Sequence, residues 1–178
     1  DLEGSEVATD PAQVTRLRTA AAYALRLAAA LRQPEPRVEL YTEAAQIFQR
    51  LGETETAAAA LRTVLDCDPF DTTAFSRLQS LLSARAEDPQ TGDAGPLLEL
   101  LSYRLSHVPT EEAHRKLELP QRLSLLLQRA ALYQAAKQSA EAVEDLETLL
   151  KLDSGHAPAQ RRLADLLAQR GDLCRGQL

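Results

Sequence analysis

The sequence predicts a soluble, all-α protein, and three observations support this prediction. Leu and Ala occur 33 and 30 times among the 178 residues, and both residue types favour helices. Aromatic residues make up only 4% of the chain, so the residue types that favour strands are scarce. An apolar content of 44% excludes a wholly disordered chain. We therefore expect about eight helices, and neither an all-β fold nor a nucleotide-binding α/β fold.

The first 36 residues divide into a tail and a helix. Residues 1–10 carry four acidic side chains and predict a flexible acidic tail. Asp10 followed by Pro11 predicts a helix start, because Asp caps a first turn and Pro fits into it. Apolar residues then recur at helical spacing until the prolines of 33–36 interrupt the pattern. We predict an N-terminal helix in 11–36, either a cap or the remnant of a preceding repeat.

Two later segments share one pattern at the same internal offsets. Small residues stand where two paired helices would approach closely, and larger apolar residues stand between neighbouring pairs. Over 37–71 the pattern consists of Tyr41, Ala44, Ala45, Phe48, Ala57, Leu61 and Pro69. Over 123–156 it consists of Leu126, Arg129, Ala130, Tyr133, Ala142, Leu146 and Ser154. Partial copies begin 34 residues further on, at Phe75 and Gln160.

This pattern resembles the tetratricopeptide repeat (TPR), in which an aromatic motif, an Ala-x3-Phe and a final Pro recur over 34 residues. The resemblance implies a right-handed α-α superhelix, that is, a TPR-like solenoid of stacked helix pairs. The alternative is an irregular helical bundle in which the spacing is coincidental.

The remaining segments are predicted from where the repeat phase is kept or lost. We predict a degenerate TPR-like repeat over 72–109, with an inserted loop at 87–95 where Pro, Gly and Asp cluster. An irregular insertion is predicted over 110–122, with Pro120 at the start of the following helix. The alternative for Thr110–Leu119 is one or two added helical turns. Residues 157–178 are predicted to form the first helix of a truncated repeat. We accordingly expect the chain to be a segment of a larger protein.

The residues that catalysis or cofactor binding would need are not recognisable in the sequence. The seven Gly residues are dispersed, which disfavours a phosphate-binding loop, and the three His residues lack metal-ligand spacing. We therefore predict no enzyme activity, no metal and no cofactor. The carboxylates Glu141, Glu144, Asp145 and Glu147 are interpreted as a solvated helix face rather than an acid–base pair.

The resemblance also implies a binding surface. In the resembling family the first helix of each pair lines a concave groove that holds a peptide or a partner helix. Carried over residue by residue, the predicted groove residues are Glu39, Thr42, Glu43, Gln46, Gln49, Arg50, Thr73, Ser76, Ser80, Gln128, Ala131, Gln134, Arg161 and Asp165.

These features favour a non-catalytic scaffold that binds a partner protein or peptide through the groove. The alternative is a regulatory receptor domain that senses a ligand or peptide. The net charge of −6 disfavours nucleic acid as a partner, and no apolar run is long enough for a membrane span. We expect a cytoplasmic protein that can self-associate through uncapped solenoid ends.

Overall fold

A computed structural model describes residues 10–88, 92–107 and 112–175, except for the side chains of 112–117 and 170–175. Residues 1–9, where the acidic tail is predicted, lie outside this description, as does part of the inserted loop. The helices are α1 (Pro11–Ala30), α2 (Pro34–Arg50), α3 (Thr54–Cys67), α4 (Thr72–Glu87), α5 (Gly95–Ser106), α6 (Glu112–Ala135), α7 (Ser139–Leu152) and α8 (Ala157–Arg175). The described ranges contain no strand, which confirms the predicted all-α helical-repeat fold.

The chain divides into two compact units, Asp1–Asp93 and Ala94–Leu178. In the first unit each helix from α1 to α4 packs on the next one along the chain. Ala21, Ala24, Ala44 and Ala57 are buried at the contacts of α1, α2 and α3, with the ring of Phe48 beside them. Alanine allows the helix backbones to approach closely. The ring of Phe48 fills the space beside these close contacts.

The second unit repeats this arrangement with a shift of 85 residues. Its α7 covers 139–152 where α3 covers 54–67, and α6 ends at Ala135 where α2 ends at Arg50. The core contains Leu126 and Ala130 of α6, several apolar residues of α7, and Leu166 of α8. The two segments that share the sequence pattern therefore fold into helix pairs in the same register.

Two predicted boundaries are corrected by the structure. The N-terminal helix predicted within 11–36 ends at Ala30, and Pro34 already lies in the first turn of α2. The prolines therefore begin a helix rather than only ending one, because a first-turn residue needs no backbone N–H donor.

The prediction of an irregular insertion over 110–122 is wrong for residues 112–122, which belong to α6. Pro120 lies inside that helix instead of at its start, at the cost of one backbone hydrogen bond. The turn that precedes it is held by a tertiary contact, since Glu118 accepts a 2.9 Å hydrogen bond from the buried guanidinium of Arg104 on α5. Residues 108–111 lie outside the description.

The helices predicted for the degenerate repeat 72–109 are α4 and α5, which belong to different units. The predicted loop at 87–95 matches the connection between them, of which 89–91 is not described. The truncated repeat at 157–178 corresponds to α8 as far as Arg175. The division into repeats at these two places stays a prediction.

The turn between the paired helices has the same hydrogen bonds in both units. After α2, the N–H of Glu53 donates to the carbonyl of Phe48, and Gly52 takes a φ of +74°. After α6, Gln138 donates in the same way to Tyr133, but Lys137 occupies the glycine position with a φ of +62°. Both turns are the left-handed helix ending that glycine favours, and Lys137 is strained there.

We predict that Lys137→Gly raises the free energy of unfolding by about 1 kcal/mol, because glycine adopts the left-handed conformation without a steric penalty. Urea denaturation followed by circular dichroism measures this change. The matched control is Gly52→Ala, which should lower the free energy of unfolding although a Cβ at Gly52 meets nothing within 4 Å. A destabilised Lys137→Gly variant would contradict the prediction.

Candidate binding surfaces

The fourteen predicted groove residues, called here the groove set, are distributed over α2, α4, α6 and α8. The buried face of α2 carries Ala44, Ala45 and Phe48. By helical periodicity, the groove-set residues of α2 lie on the opposite side, and each is exposed or half-buried. These residues are Glu39, Thr42, Glu43, Gln46, Gln49 and Arg50. They are accessible to solvent, fully or in part, within the first unit.

The α4 members of the groove set, Thr73, Ser76 and Ser80, are all exposed and lie away from the buried face of Phe75 and Leu78. Ser76 Oγ donates to the carbonyl of Thr72 at 2.7 Å, a local bond within the helix. This face is therefore uncharged and has small polar side chains.

In the second unit the groove set has members on α6 and α8. Gln128 is exposed, whereas Ala131 and Gln134 are half-buried on the same side of α6. Arg161 and Asp165 are both exposed on α8, one helical turn apart. None of the fourteen residues is buried.

A buried ion pair lies on the other side of α6, where no site was predicted. The guanidinium of Arg129 donates to both carboxylate oxygens of Asp145 on α7, at 2.8 Å and 2.5 Å, and to the hydroxyl of Ser102 on α5 at 2.9 Å. The side chain of Asp145 is only 5% exposed. The interpretation of Asp145 as part of a solvated face is therefore wrong, because helical periodicity turns it toward α6 while Glu141, Glu144 and Glu147 stay exposed.

The surroundings of Arg129 keep it charged. The hydrogen bonds with Asp145 raise the pKa of Arg129, although its partial burial opposes this shift. Tyr133, one turn further along α6, places its ring 5.8 Å from the guanidinium carbon, a distance that permits a cation–π interaction. Arg129 thus links three helices of the second unit. Its bidentate pair with Asp145 joins α6 to α7, and its hydrogen bond to Ser102 adds α5.

This ion pair lines a cleft of about 330 Å³ in the second unit, called here the α5–α7 cleft. Its walls come from α5, α6 and α7, and most of its lining side chains are polar. The lining residues are Ser102, Leu105, Ser106, Arg122, Leu126, Arg129, Tyr133, Glu141, Glu144, Asp145 and Thr148. The cleft and the groove set use opposite sides of α6.

The 85-residue shift provides a signal that could have revealed this site. In the first unit the positions of Arg129 and Asp145 are occupied by Ala44 and Ala60, both buried. The position of Glu144 is occupied by Ala59. A charged pair at positions that the first repeat fills with alanine indicates a local requirement other than close packing, because burying two charges costs desolvation energy.

The first unit has a cleft of its own, of about 370 Å³ between α3 and α4. Its lining includes the apolar side chains of Ala58, Leu81 and Leu82. Arg85 lies beside it and forms ion pairs with Glu55 and, at 3.8 Å, with Asp93. This cleft is more apolar than the α5–α7 cleft.

No group of three or more His, Cys, Asp or Glu residues is arranged as metal ligands in the part of the chain that the structure describes. Among the same residues, none of the helices combines the length and the apolar character that a membrane span requires.

A comparison with protein families supports the repeat pattern. The family model described as "Tetratricopeptide repeat" matches residues 38–71 and 123–156. These segments are the two helix pairs that the structure places in the same register, α2 with α3 and α6 with α7. No curated protein sequence matches the chain significantly.

We predict that Asp145→Ala lowers the free energy of unfolding by about 3 kcal/mol, because it leaves the charge of Arg129 partly buried and unpaired. The double variant Arg129→Ala/Asp145→Ala restores the residues of the first repeat and should cost clearly less than the single change. Urea denaturation of both variants measures the difference. A double variant that is less stable than Asp145→Ala would contradict the prediction, because it would show that Arg129 stabilises the fold even without Asp145.

Proposed function

This chain is a tetratricopeptide-repeat protein, and from this premise we propose that it is a non-catalytic scaffold that binds a partner protein or peptide through the groove set. Repeats of this family generally mediate protein–protein interactions and are typically not enzymes. The observation that carries the proposal is the family match at two helix pairs, whose buried faces are used for packing and whose groove-set faces remain accessible.

The character of the groove set indicates what kind of partner it suits. Its charged members are Glu39, Glu43, Arg50, Arg161 and Asp165, and its other members are uncharged. Such a surface suits a partner that contributes hydrogen-bonding side chains and both signs of charge. The polyanionic backbone of a nucleic acid is a poor match, because both the groove set and the whole chain carry net negative charge.

A second candidate function is a regulatory receptor domain that senses a ligand or peptide. The α5–α7 cleft favours it, since its volume of about 330 Å³ is in the range of small-ligand sites. For either function we propose the cytoplasm as the compartment, where the free thiol of Cys67 would stay reduced.

A second copy of this chain is also among the proposed partners. Tyr23 and Leu27 of α1 are 68% and 41% exposed and lie one helical turn apart. Leu167 of α8 is 50% exposed. Large apolar side chains in such positions favour association, because contact would remove them from water.

We predict that the substitution Glu43→Arg/Gln46→Arg abolishes partner capture from the native lysate, because both residues are exposed at the centre of the α2 face. The measurement is an affinity pull-down with quantitative mass spectrometry. The matched control is Ala59→Arg/Asp66→Arg, which adds two arginines at exposed positions of α3. A partner captured by the native chain and the control but lost with the α2 variant supports the proposal. Equal capture by all three would overturn the groove set as the binding surface.

Self-association predicts a mass that rises with concentration in light scattering of the chain. Tyr23→Glu/Leu27→Glu should shift the equilibrium toward the monomer, because both changes place charge at the contact. A monomer at all concentrations in the native chain would rule out self-association through these side chains.

A further inference from the structure

Arg122 of the α5–α7 cleft has an unused hydrogen-bond donor. Its Nε is buried and has no acceptor within the part of the chain that the structure describes. Its side chain also lines the cleft, so a carboxylate bound there can accept hydrogen bonds from the guanidinium. Thr148 and Leu126 also line the cleft, and neither brings a carboxylate to that wall.

The far part of the cleft has the opposite charge. Glu141 lines it, with Tyr133 on the α6 side, and Glu144 lies next to Asp145 between this part and the centre. Both glutamates are exposed. Because α6 and α7 are antiparallel and Arg129 contacts Asp145, Glu141 lies one turn beyond this pair in the direction away from Arg122. The cleft therefore has a basic part, a neutralised ion pair in its centre, and an acidic part.

The separation of the two charged parts limits the type of ligand. Arg122 and Tyr133 are eleven residues apart on α6, which corresponds to about 16 Å at a rise of 1.5 Å per residue. An extended peptide covers this distance in about five residues. A free amino acid is far too short to reach both parts.

We infer that the α5–α7 cleft binds an extended peptide segment that carries a carboxylate side chain beside Arg122 and a basic side chain beside Glu141 and Glu144. The carboxylate pairs with the guanidinium of Arg122, and the Arg129–Asp145 pair forms the floor between the two charges. This site lies on the opposite side of α6 from the groove set, so it is separate from the scaffold function proposed for that set. It rests on the receptor function proposed second and names the class of ligand for that cleft.

The experiment is an NMR titration of the ¹⁵N-labelled full chain, in which the Nε–Hε signal of Arg122 is followed directly. The probes are capped peptides in which one Glu and one Lys are separated by three or five Ser and Ala residues. At these spacings both side chains leave the same side of an extended chain. The control peptide has the same composition, but its Glu and Lys are adjacent. The control variant is Arg37→Gln. Arg37 is the counterpart of Arg122 in the first repeat and also has an unpaired buried Nε.

We expect a spaced peptide to shift the Nε–Hε signal of Arg122 and the backbone signals of α5 and α7, and the adjacent-charge peptide to bind more weakly. Arg122→Gln and Glu141→Gln/Glu144→Gln should each weaken binding about tenfold, whereas Arg37→Gln and Glu43→Arg/Gln46→Arg should leave it unchanged. Equal binding of both kinds of peptide, no shift at millimolar peptide, or shifts confined to the α2 face would overturn the inference.

Discussion

The close approach of paired antiparallel helices at small side chains is the constraint on which both units depend. Ala45 and Ala57 meet it between α2 and α3, and Ala130 and Ala142 stand at the same positions of α6 and α7. Since these contacts fix which side of each helix is buried, they also fix which side remains for binding. The groove set is accessible for this reason, and its members differ between helices while the packing positions recur.

The second unit differs from the first at two of the buried packing positions. Where the first unit has the buried residues Ala44 and Ala60, the second has Arg129 bound to Asp145, with Ser102 as a third partner. A buried ion pair offers little net stability over apolar packing, so its presence fits a role in shaping the α5–α7 cleft. The two units therefore share the same helix packing but have different surfaces beside α3 and α7, the second helix of each matched pair.

Most of the fold could be predicted from the sequence, because helical periodicity and the recurring small residues determine it. The exposure of the groove set follows from the same periodicity. The sequence does not reveal the site on α7, because four carboxylates close together in sequence predict one exposed face, whereas only Asp145 points toward α6. The start of α6 was missed because the local preference of Pro120 was outweighed by the contact of Glu118 with Arg104, a tertiary interaction that no local rule contains.

The central claim is that binding uses the helix faces that packing leaves free. Hydroxyl-radical footprinting of the chain, alone and bound to a captured partner, tests it directly because the method reports the accessibility of individual side chains. We predict protection of the groove-set residue Arg50 on α2, with unchanged labelling of Arg62 on the exposed side of α3. Protection of α3 with unchanged labelling of α2 would contradict the claim.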